Sequence, residues 1–327
     1  MWFLKKTNLF WPVYKNLEKE FLELADFIHI TEEQLNVYSM HIADLIVRCS
    51  IEIEAISKEL YEQLGGNMTP VDKNGDKRDL YFDTDCLYLL EQKWKISDKQ
   101  IFISTTNCFF NDDIILTPLR KSFKRGTSGS KWKQAYQAVK HERTKSSKKA
   151  TIENLINSMG ALFILNLYYK DDSTKSNDFN VRNKEFDVRA GSDVFSVFCY
   201  NASSISMTTH FNDNCICNFT NNDLDRCIYI TKHTDESIRT MHNNFCKDHI
   251  ITMKNFCESI EIQNYITKHP KCLQDKTVNQ ICAEAGGISL VNRIMSHKHI
   301  VQQTNMESET ILNKQTNIYP ELEFVEE

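Results

Sequence analysis

The chain has 327 residues, which is enough for one large or two smaller domains, and we expect two unequal ones. Hydrophobic residues make up 41% and charged residues 25%, a balance that is typical of globular proteins and excludes global disorder. The formal net charge of −5 excludes a protein that is basic throughout, so any contact with nucleic acid needs a local patch of Lys and Arg.

The cysteines and the N-terminus predict an intracellular location. Eleven cysteines at irregular spacing cannot all pair within one chain, and the first residues, MWFLKKTNLFWPVY, contain no apolar signal core. The strongest candidate for a membrane span, residues 155–169, is shorter than the about 20 apolar residues that a span needs. We therefore expect a cytoplasmic protein with reduced thiols and no membrane partner.

The first predicted element is a long amphipathic helix. In residues 31–66, TEEQLNVYSMHIADLIVRCSIEIEAISKELYEQLGG, apolar residues recur at helical spacing. Thr31 is the predicted N-cap, and the pair Gly65 and Gly66 is the predicted stop. A polar loop follows, then a shorter predicted helix, DTDCLYLLEQKW, and a brief predicted strand, KQIFIS.

Two helices of opposite character are predicted next. The basic and mobile connector RKSFKRGTSGSK leads into residues 132–143, WKQAYQAVKHER, in which Trp132 and Tyr136 share one helical face. Residues 151–169, TIENLINSMGALFILNLYY, are apolar on nearly every side, which predicts a helix at the centre of a bundle. The apolar side chains that we expect to be buried across these helices include Ile53, Leu60, Leu155, Phe163 and Leu167.

The residue composition changes after Lys170. The segments SDVFSVFCYNA and RCIYITKHT are rich in β-branched and aromatic residues, which predicts strands, and two helical segments follow them. The predicted fold class is therefore mainly α. We expect an antiparallel helical bundle over residues 25–172, a smaller α+β portion over residues 178–300, and a flexible, polar to acidic tail over residues 302–327.

The first half resembles a known family. The segments WKQAYQAVKHER and ATIENLINSMGALFILNLYY, with IVRCSIEIEAISKELY upstream, resemble helical proteins of the HEPN superfamily that act in bacterial antiviral defence and abortive infection. The resemblance covers about residues 31–170. It implies a bundle of four or five helices that forms a homodimer and, in active members, cleaves RNA without a metal. It thus predicts a defence-associated endoribonuclease or toxin-like effector.

The segment WKQAYQAVKHER contains the side chains that such a reaction needs. Cleavage beside a 2′-hydroxyl requires proton transfer and cations that hold the charged phosphate. His141 suits proton transfer near neutral pH, while Arg143 can bind phosphate in a bidentate manner and Lys140 offers a compact charge. These three are the predicted catalytic residues. Tyr136 is a predicted substrate contact because it can stack on a base or donate its hydroxyl.

The order of these residues departs from the family pattern. Active members carry an Arg followed by a His after four to six residues, whereas here His141 precedes Arg143. On a straight helix the two side chains point about 200° apart, so they converge on one phosphate only if the helix ends there. Arg48 is the alternative partner across the bundle, although it also fits a simple ion pair with Glu52 one turn later.

Further RNA contacts are expected from the connector, where Arg125 and Lys124 belong to a predicted basic surface that includes Lys131 and Lys133. The plain alternative is a solvated loop whose charges contact only water. The expected partners are RNA, in particular tRNA, a second copy of the chain, and a regulatory protein.

The sequence also fits two other functions and contains one further set of ligand-type side chains. The aromatic face of WKQAYQAVKHER is also typical of plain packing, which favours a non-catalytic helical module that binds RNA or a partner protein, or a structural dimer. His242, Cys246 and His249 share one helical face and could hold a metal, but a partly buried Cys flanked by polar histidines is the commoner arrangement. No cofactor and no metal are therefore predicted.

Overall fold

A computed structural model gives the structure of the protein. It describes five ranges of the chain: 8–171, 174–176, 186–202, 221–295 and 307–318. The chain divides into two compact units. Unit 1 comprises Met1–Lys175, Arg182–Lys232 and Glu309–Thr316, and unit 2 comprises Ser176–Val181, His233–Ser308 and Asn317–Glu327.

Unit 1 is built mainly from helices, which confirms the predicted mainly α class. The helices are α1 (Phe10–Ala25), α2 (Met40–Gln63), α3 (Tyr88–Trp94), α4 (Lys131–Ser146), α5 (Ile152–Lys170) and α6 (Asn221–Arg226). Helix α5 packs against α1, α2 and α4 and is buried over most of its surface. The central position predicted for it is confirmed, because the expected core side chains are all at most 1% exposed: Ile53, Leu60, Leu155, Phe163 and Leu167.

Helix α2 begins later than the sequence pattern predicts. The side chain of Ser39 accepts a hydrogen bond from the backbone N–H of Ile42 at 3.1 Å and so caps the helix. Thr31 is therefore the wrong cap, and a short 3-10 turn, Glu32–Asn36, follows it instead. The predicted stop is confirmed, since α2 ends at Gln63 and Gly65 adopts a φ of 76°.

Two small sheets lie mainly in unit 1. The strands are β1 (Ile101–Ile103), β2 (Ile115–Leu116), β3 (Thr174–Ser176), β4 (Phe195–Val197), β5 (Cys199–Asn201), β6 (Tyr229–His233) and β7 (Ser308–Leu312). The three-stranded sheet has the order β2-β1-β4 with antiparallel pairs, and the four-stranded sheet has the order β3-β7-β6-β5, in which β5 and β6 run parallel. The strands predicted at KQIFIS, SDVFSVFCYNA and RCIYITKHT are thus present.

The structure divides the chain differently from the predicted domains. Helix α1 precedes the predicted start of the bundle, and strands of the predicted α+β portion belong to unit 1. The predicted flexible tail contains β7, whose Leu312 is 5% exposed. The hydroxyl of Tyr168 on α5 also donates to the carbonyl of Asn313 at 2.7 Å. Core burial and this hydrogen bond hold residues 307–318, whose polar composition alone suggested a loose segment; the rest of the predicted tail lies outside the described residues.

Unit 2 is helical in its described part. Its helices are α7 (Asp235–Glu258), α8 (Ile260–Lys268), α9 (Cys272–Asp275) and α10 (Val278–Ile294). They enclose a core of their own, separate from that of unit 1, formed by Phe256, Ile262, Cys272, Ile281, Cys282, Leu290 and Ile294. Among the residues that the structure describes, no helix in either unit has both the length and the apolarity needed to cross a membrane.

Phe163 provides a test of the central position of α5. Its ring is fully buried and stacks against Tyr14 and Phe195, with ring centroids 5.6 and 5.7 Å away. We expect Phe163→Ala to lower the free energy of unfolding by about 3–5 kcal/mol, because it leaves a cavity in the core. Ile51→Ala, at a position that is 51% exposed on α2, is the matched control. Equal losses in chemical denaturation would contradict this position for α5.

Candidate functional site

An open cleft of about 770 Å³ lies in unit 1 beside α2 and α4. The polypeptide before α3, the connector before α4 and the short turn after α4 that contains Lys149 form its remaining walls. Its lining is rich in charge and includes the cationic side chains Lys58, Arg125, Lys133 and Lys149, the acidic side chains Glu54, Asp83 and Glu142, and the imidazole of His141.

One carboxylate organises the wall of this cleft. Asp83 accepts from the ammonium of Lys133 at 3.1 Å through Oδ2 and from Nε of Arg125 at 3.0 Å through Oδ1. Lys133 is 3% exposed and also donates to the backbone carbonyls of Ser122, at 2.7 Å, and Lys124. Lys133 is therefore not the surface cation that was predicted. It fixes the connector against α4, so that stretch of the connector is not the mobile loop that its composition suggested.

The protonation of Asp83 follows from these contacts. Burial by itself would raise the pKa of Asp83, but the charge of Lys133 and the hydrogen bonds from Thr84, Lys133 and Arg125 outweigh it. The pKa of Asp83 is held below its ordinary value. The carboxylate therefore stays ionised at neutral pH and neutralises the buried ammonium.

Arg125 is held on two sides and open on another. Its guanidinium lies 3.8 Å from the ring centroid of Tyr81, while its Nε is bound to Asp83. The side chain nevertheless remains 48% exposed. A guanidinium that is stacked and ion-paired in this way is oriented before any ligand arrives.

His141 lines the cleft from the last turn of regular α4. It follows Gln134, Gln137 and Ala138 on the same side of the helix, and its own side chain is exposed. The helix is broken at the next residue, Glu142, which has φ −139° and ψ 53°. The interruption that the reversed family pattern required is thus present, one residue after the histidine.

The break does not bring Arg143 to His141. Arg143 approaches Asp44 on α2, with Nη2 and Oδ1 3.8 Å apart, and it is not part of the cleft lining. Arg48 is bound to Glu20 of α1 at 2.6 Å, rather than to Glu52 as the spacing suggested, and is likewise outside the lining. Neither of the arginines predicted as partners of His141 shares the cleft with it.

Tyr136 and Lys140 form a structural pair. Tyr136 is 2% exposed, so its ring is not presented to a base as predicted. Burial raises the pKa of its hydroxyl, the nearby charge of Glu54 adds to this effect, and Lys140 donates to the phenolic oxygen at 3.3 Å. The Lys140 ammonium also lies 5.3 Å from the ring centroid of Tyr136.

Lys124, another predicted RNA contact, is exposed and lies outside the lining of the cleft. Its ammonium lies 5.6 Å from the ring centroid of Phe123.

The lining residues that were missed from the sequence include Lys58, Tyr81, Asp83 and Lys149. Lys58 and Lys149 belong to helical and basic segments where many cations are merely solvated, so composition alone does not single them out. Asp83 contacts a lysine 50 positions later, and no local pattern signals such a pairing. The one signal for Asp83 in the sequence was its position at the start of the predicted helix DTDCLYLLEQKW.

No metal centre is built from the described residues. They contain no group of three or more His, Cys, Asp and Glu side chains arranged to hold an ion. His242 Nε2 and Cys246 Sγ lie 3.5 Å apart, whereas the ring of His249 stacks against Phe245 at a centroid distance of 6.2 Å.

No protein-family model, curated protein or solved structure matches this chain. The resemblance to the HEPN superfamily therefore stays a prediction.

Substitution of Asp83 tests the electrostatic anchor of the cleft. Asp83→Asn leaves the ammonium of Lys133 buried without its counter-charge, so we expect the free energy of unfolding at neutral pH to fall by about 3 kcal/mol. Because the folded-state pKa of Asp83 is depressed, its contribution is fully present above the unfolded pKa. The contribution is lost as the pH falls through the folded pKa, so the deficit of the variant should shrink below about pH 4.

The control for this substitution is Asp79→Asn, since Asp79 is an exposed carboxylate in the same stretch of chain. Urea titrations of both variants at several pH values give the comparison. A deficit for Asp83→Asn that is as small as that of the control, or that does not change with pH, would contradict the anchor.

Proposed function

We propose that the cleft binds single-stranded RNA. The observation that carries this proposal is the guanidinium of Arg125, which is stacked on Tyr81, ion-paired to Asp83 and still 48% exposed on the wall that also contains His141. Unstacked RNA bases bind on aromatic rings and on guanidinium planes. The outer face of Arg125 therefore offers a preformed platform for one base.

The other lining side chains suit the remainder of a nucleotide. Lys58 and Lys149 supply charges for phosphate oxygens, and the amides of Gln134 and Gln137 supply donors and acceptors for a base edge. The acidic total of the chain is no obstacle, because these cations are concentrated at one cleft.

The contribution of Lys149 can be measured against that of its neighbour. Lys149 lines the cleft, whereas Lys148 is exposed and outside the lining. We expect Lys149→Ala to weaken binding of a labelled single-stranded RNA and to lower the slope of log affinity against log salt by about 0.7, the value for one lost phosphate contact. Lys148→Ala should change the slope much less. Fluorescence anisotropy across a salt series gives both slopes.

A separate substitution tests base stacking on the guanidinium of Arg125. Arg125→Lys keeps the charge but removes the planar surface, so affinity should fall while the salt slope stays nearly constant. An affinity that is independent of salt, or equal effects of Lys148→Ala and Lys149→Ala, would contradict phosphate recognition at this cleft.

Metal-independent cleavage of the bound RNA is the second candidate function. It is favoured by the position of His141, an exposed imidazole at the cleft immediately before the break in α4. His141 would act as general acid or base, and the carboxylates of Glu54 and Glu142 line the same cleft as possible second groups for proton transfer. Holding the phosphate would fall to Lys58 and Lys149 instead of Arg143 and Lys140, because the latter two lie outside the lining.

Cleavage is tested with purified protein, total RNA and tRNA in the presence of a metal chelator. His141→Ala should lower the rate by about 10²–10⁴, while its melting temperature stays almost unchanged because the side chain is exposed. Arg143→Ala should cleave at nearly the wild-type rate, since that arginine approaches Asp44 instead. Equal rates for wild type and His141→Ala would leave RNA binding as the function of the cleft.

The remaining partners stay predictions. These are the homodimer and the regulatory protein that the HEPN resemblance implies, and the alternative of a helical module that binds a partner protein. A role in antiviral defence or abortive infection rests on the same resemblance and is likewise proposed, not established.

A further inference from the structure

Helix α10 in unit 2 is sharply broken in its middle. Gly286 has φ −155° and ψ 15°, and Gly287 has φ 70° and ψ −166°. The second of these conformations is one that side-chain-bearing residues rarely adopt, so glycine is required there. The element therefore consists of two helical halves, before and after a two-glycine turn.

The core of unit 2 shows what the turn achieves. Ile281 in the first half and Leu290 in the second both belong to this core and are at most 3% exposed. On a straight helix, nine residues at about 100° each would place these two side chains about 180° apart. The turn rotates the second half so that both halves pack against the same apolar cluster.

Helix α8 is tied to both halves. The Tyr265 hydroxyl on α8 donates to Glu284 in the first half, and Glu284 also forms an ion pair with Lys276 at 2.5 Å. Arg293 in the second half donates to Glu261 of α8 at 2.8 Å, and this hydrogen bond is the main reason why the pKa of Glu261 is lowered to about 2. Helix α8 thus supports both halves of α10, on either side of the glycine turn.

From this arrangement we infer that unit 2 contains a helix-turn-helix that binds double-stranded DNA through the second half of α10. Two helices joined by a short glycine-containing turn and supported by a third helix are the geometry in which such a motif presents its recognition helix to the major groove. The inference concerns a different unit from the proposed RNA cleft and does not depend on it.

The outward side chains of the second half fit this role. Ile288 is 78% exposed, and Ser289 and Asn292 in the same helical half are exposed as well. An aliphatic side chain contacts the thymine methyl group, and Asn can bind adenine through two hydrogen bonds in the major groove.

Charge near the motif matches the DNA backbone. A second cleft, of about 470 Å³, lies where α8 ends and contains Lys268, His269, Lys271 and Lys276 with the carboxylate of Asp275. Lys276 is ion-paired with Glu284, so the phosphate contacts would fall to Lys268 and Lys271. Lys268 and Lys271 are exposed and lie at the end of α8 and directly before the start of α9, ahead of the motif in the chain. Phosphate contacts of this kind fix the register of a recognition helix in the groove. Double-stranded RNA is a poorer fit, because its major groove is too narrow for a helix.

The test uses the full chain and a duplex DNA library with a randomised centre. Selection should enrich a defined sequence, and the enriched duplex should bind more tightly than the same sequence as single strands. Asn292→Ala and Ile288→Ala should each weaken binding to that duplex about tenfold, and should relax the preference at a single base position. Lys271→Ala should weaken binding to all duplexes equally and lower the salt slope by about 1.

Two controls keep this result separate from the RNA cleft. Lys254→Ala removes an exposed lysine on α7 of the same unit and should leave DNA binding unchanged. Lys149→Ala should likewise bind the duplex normally, while Asn292→Ala should bind RNA normally. Enrichment of no sequence, tighter binding of single strands, or unchanged selection by both Asn292→Ala and Ile288→Ala would overturn the inference.

Discussion

The shared carboxylate of Asp83 is the interaction on which the cleft depends. It accepts from the buried ammonium of Lys133 and from the guanidinium of Arg125, so it joins the segment before α3, the connector and α4 at one point. A buried lysine without a counter-charge is costly, which means that these three segments can form the wall only together. The exposed face of Arg125 is a consequence of this anchoring, since the same carboxylate and the ring of Tyr81 hold it in place.

The arrangement also explains why a cluster of cations stands directly before the most apolar helix of the chain. The buried face of α4, with Trp132 and Tyr136, packs into the core, while the opposite side presents His141 to the cleft. The break at Glu142 then separates His141 from Arg143, which approaches Asp44 on α2. The cations of WKQAYQAVKHER are therefore divided among the cleft and two structural contacts instead of converging on one phosphate.

Apolar periodicity predicted the elements that burial determines. The positions of α2 and α5 and the burial of Phe163 follow from local patterns of side chains, and the structure has them. The predicted cap, Thr31, and the predicted partner of Arg48, Glu52, were both wrong. In each case a second group of similar chemistry, Ser39 or Glu20, takes the role, and the local sequence does not distinguish between the two. Pairings across many residues, such as Asp83 with Lys133, leave no local trace, and for that reason the cleft itself could not be predicted.

The most direct test of the central claim is photocrosslinking of the full chain to a 4-thiouridine-containing single-stranded RNA, with the attached peptides mapped by mass spectrometry. Our account predicts crosslinks at Tyr81 and in the segments that contain Arg125 and His141, and their loss when unlabelled RNA competes. Crosslinks confined to other surfaces of unit 1, or to the lysines around α8 in unit 2, would contradict the assignment of this cleft as the RNA site.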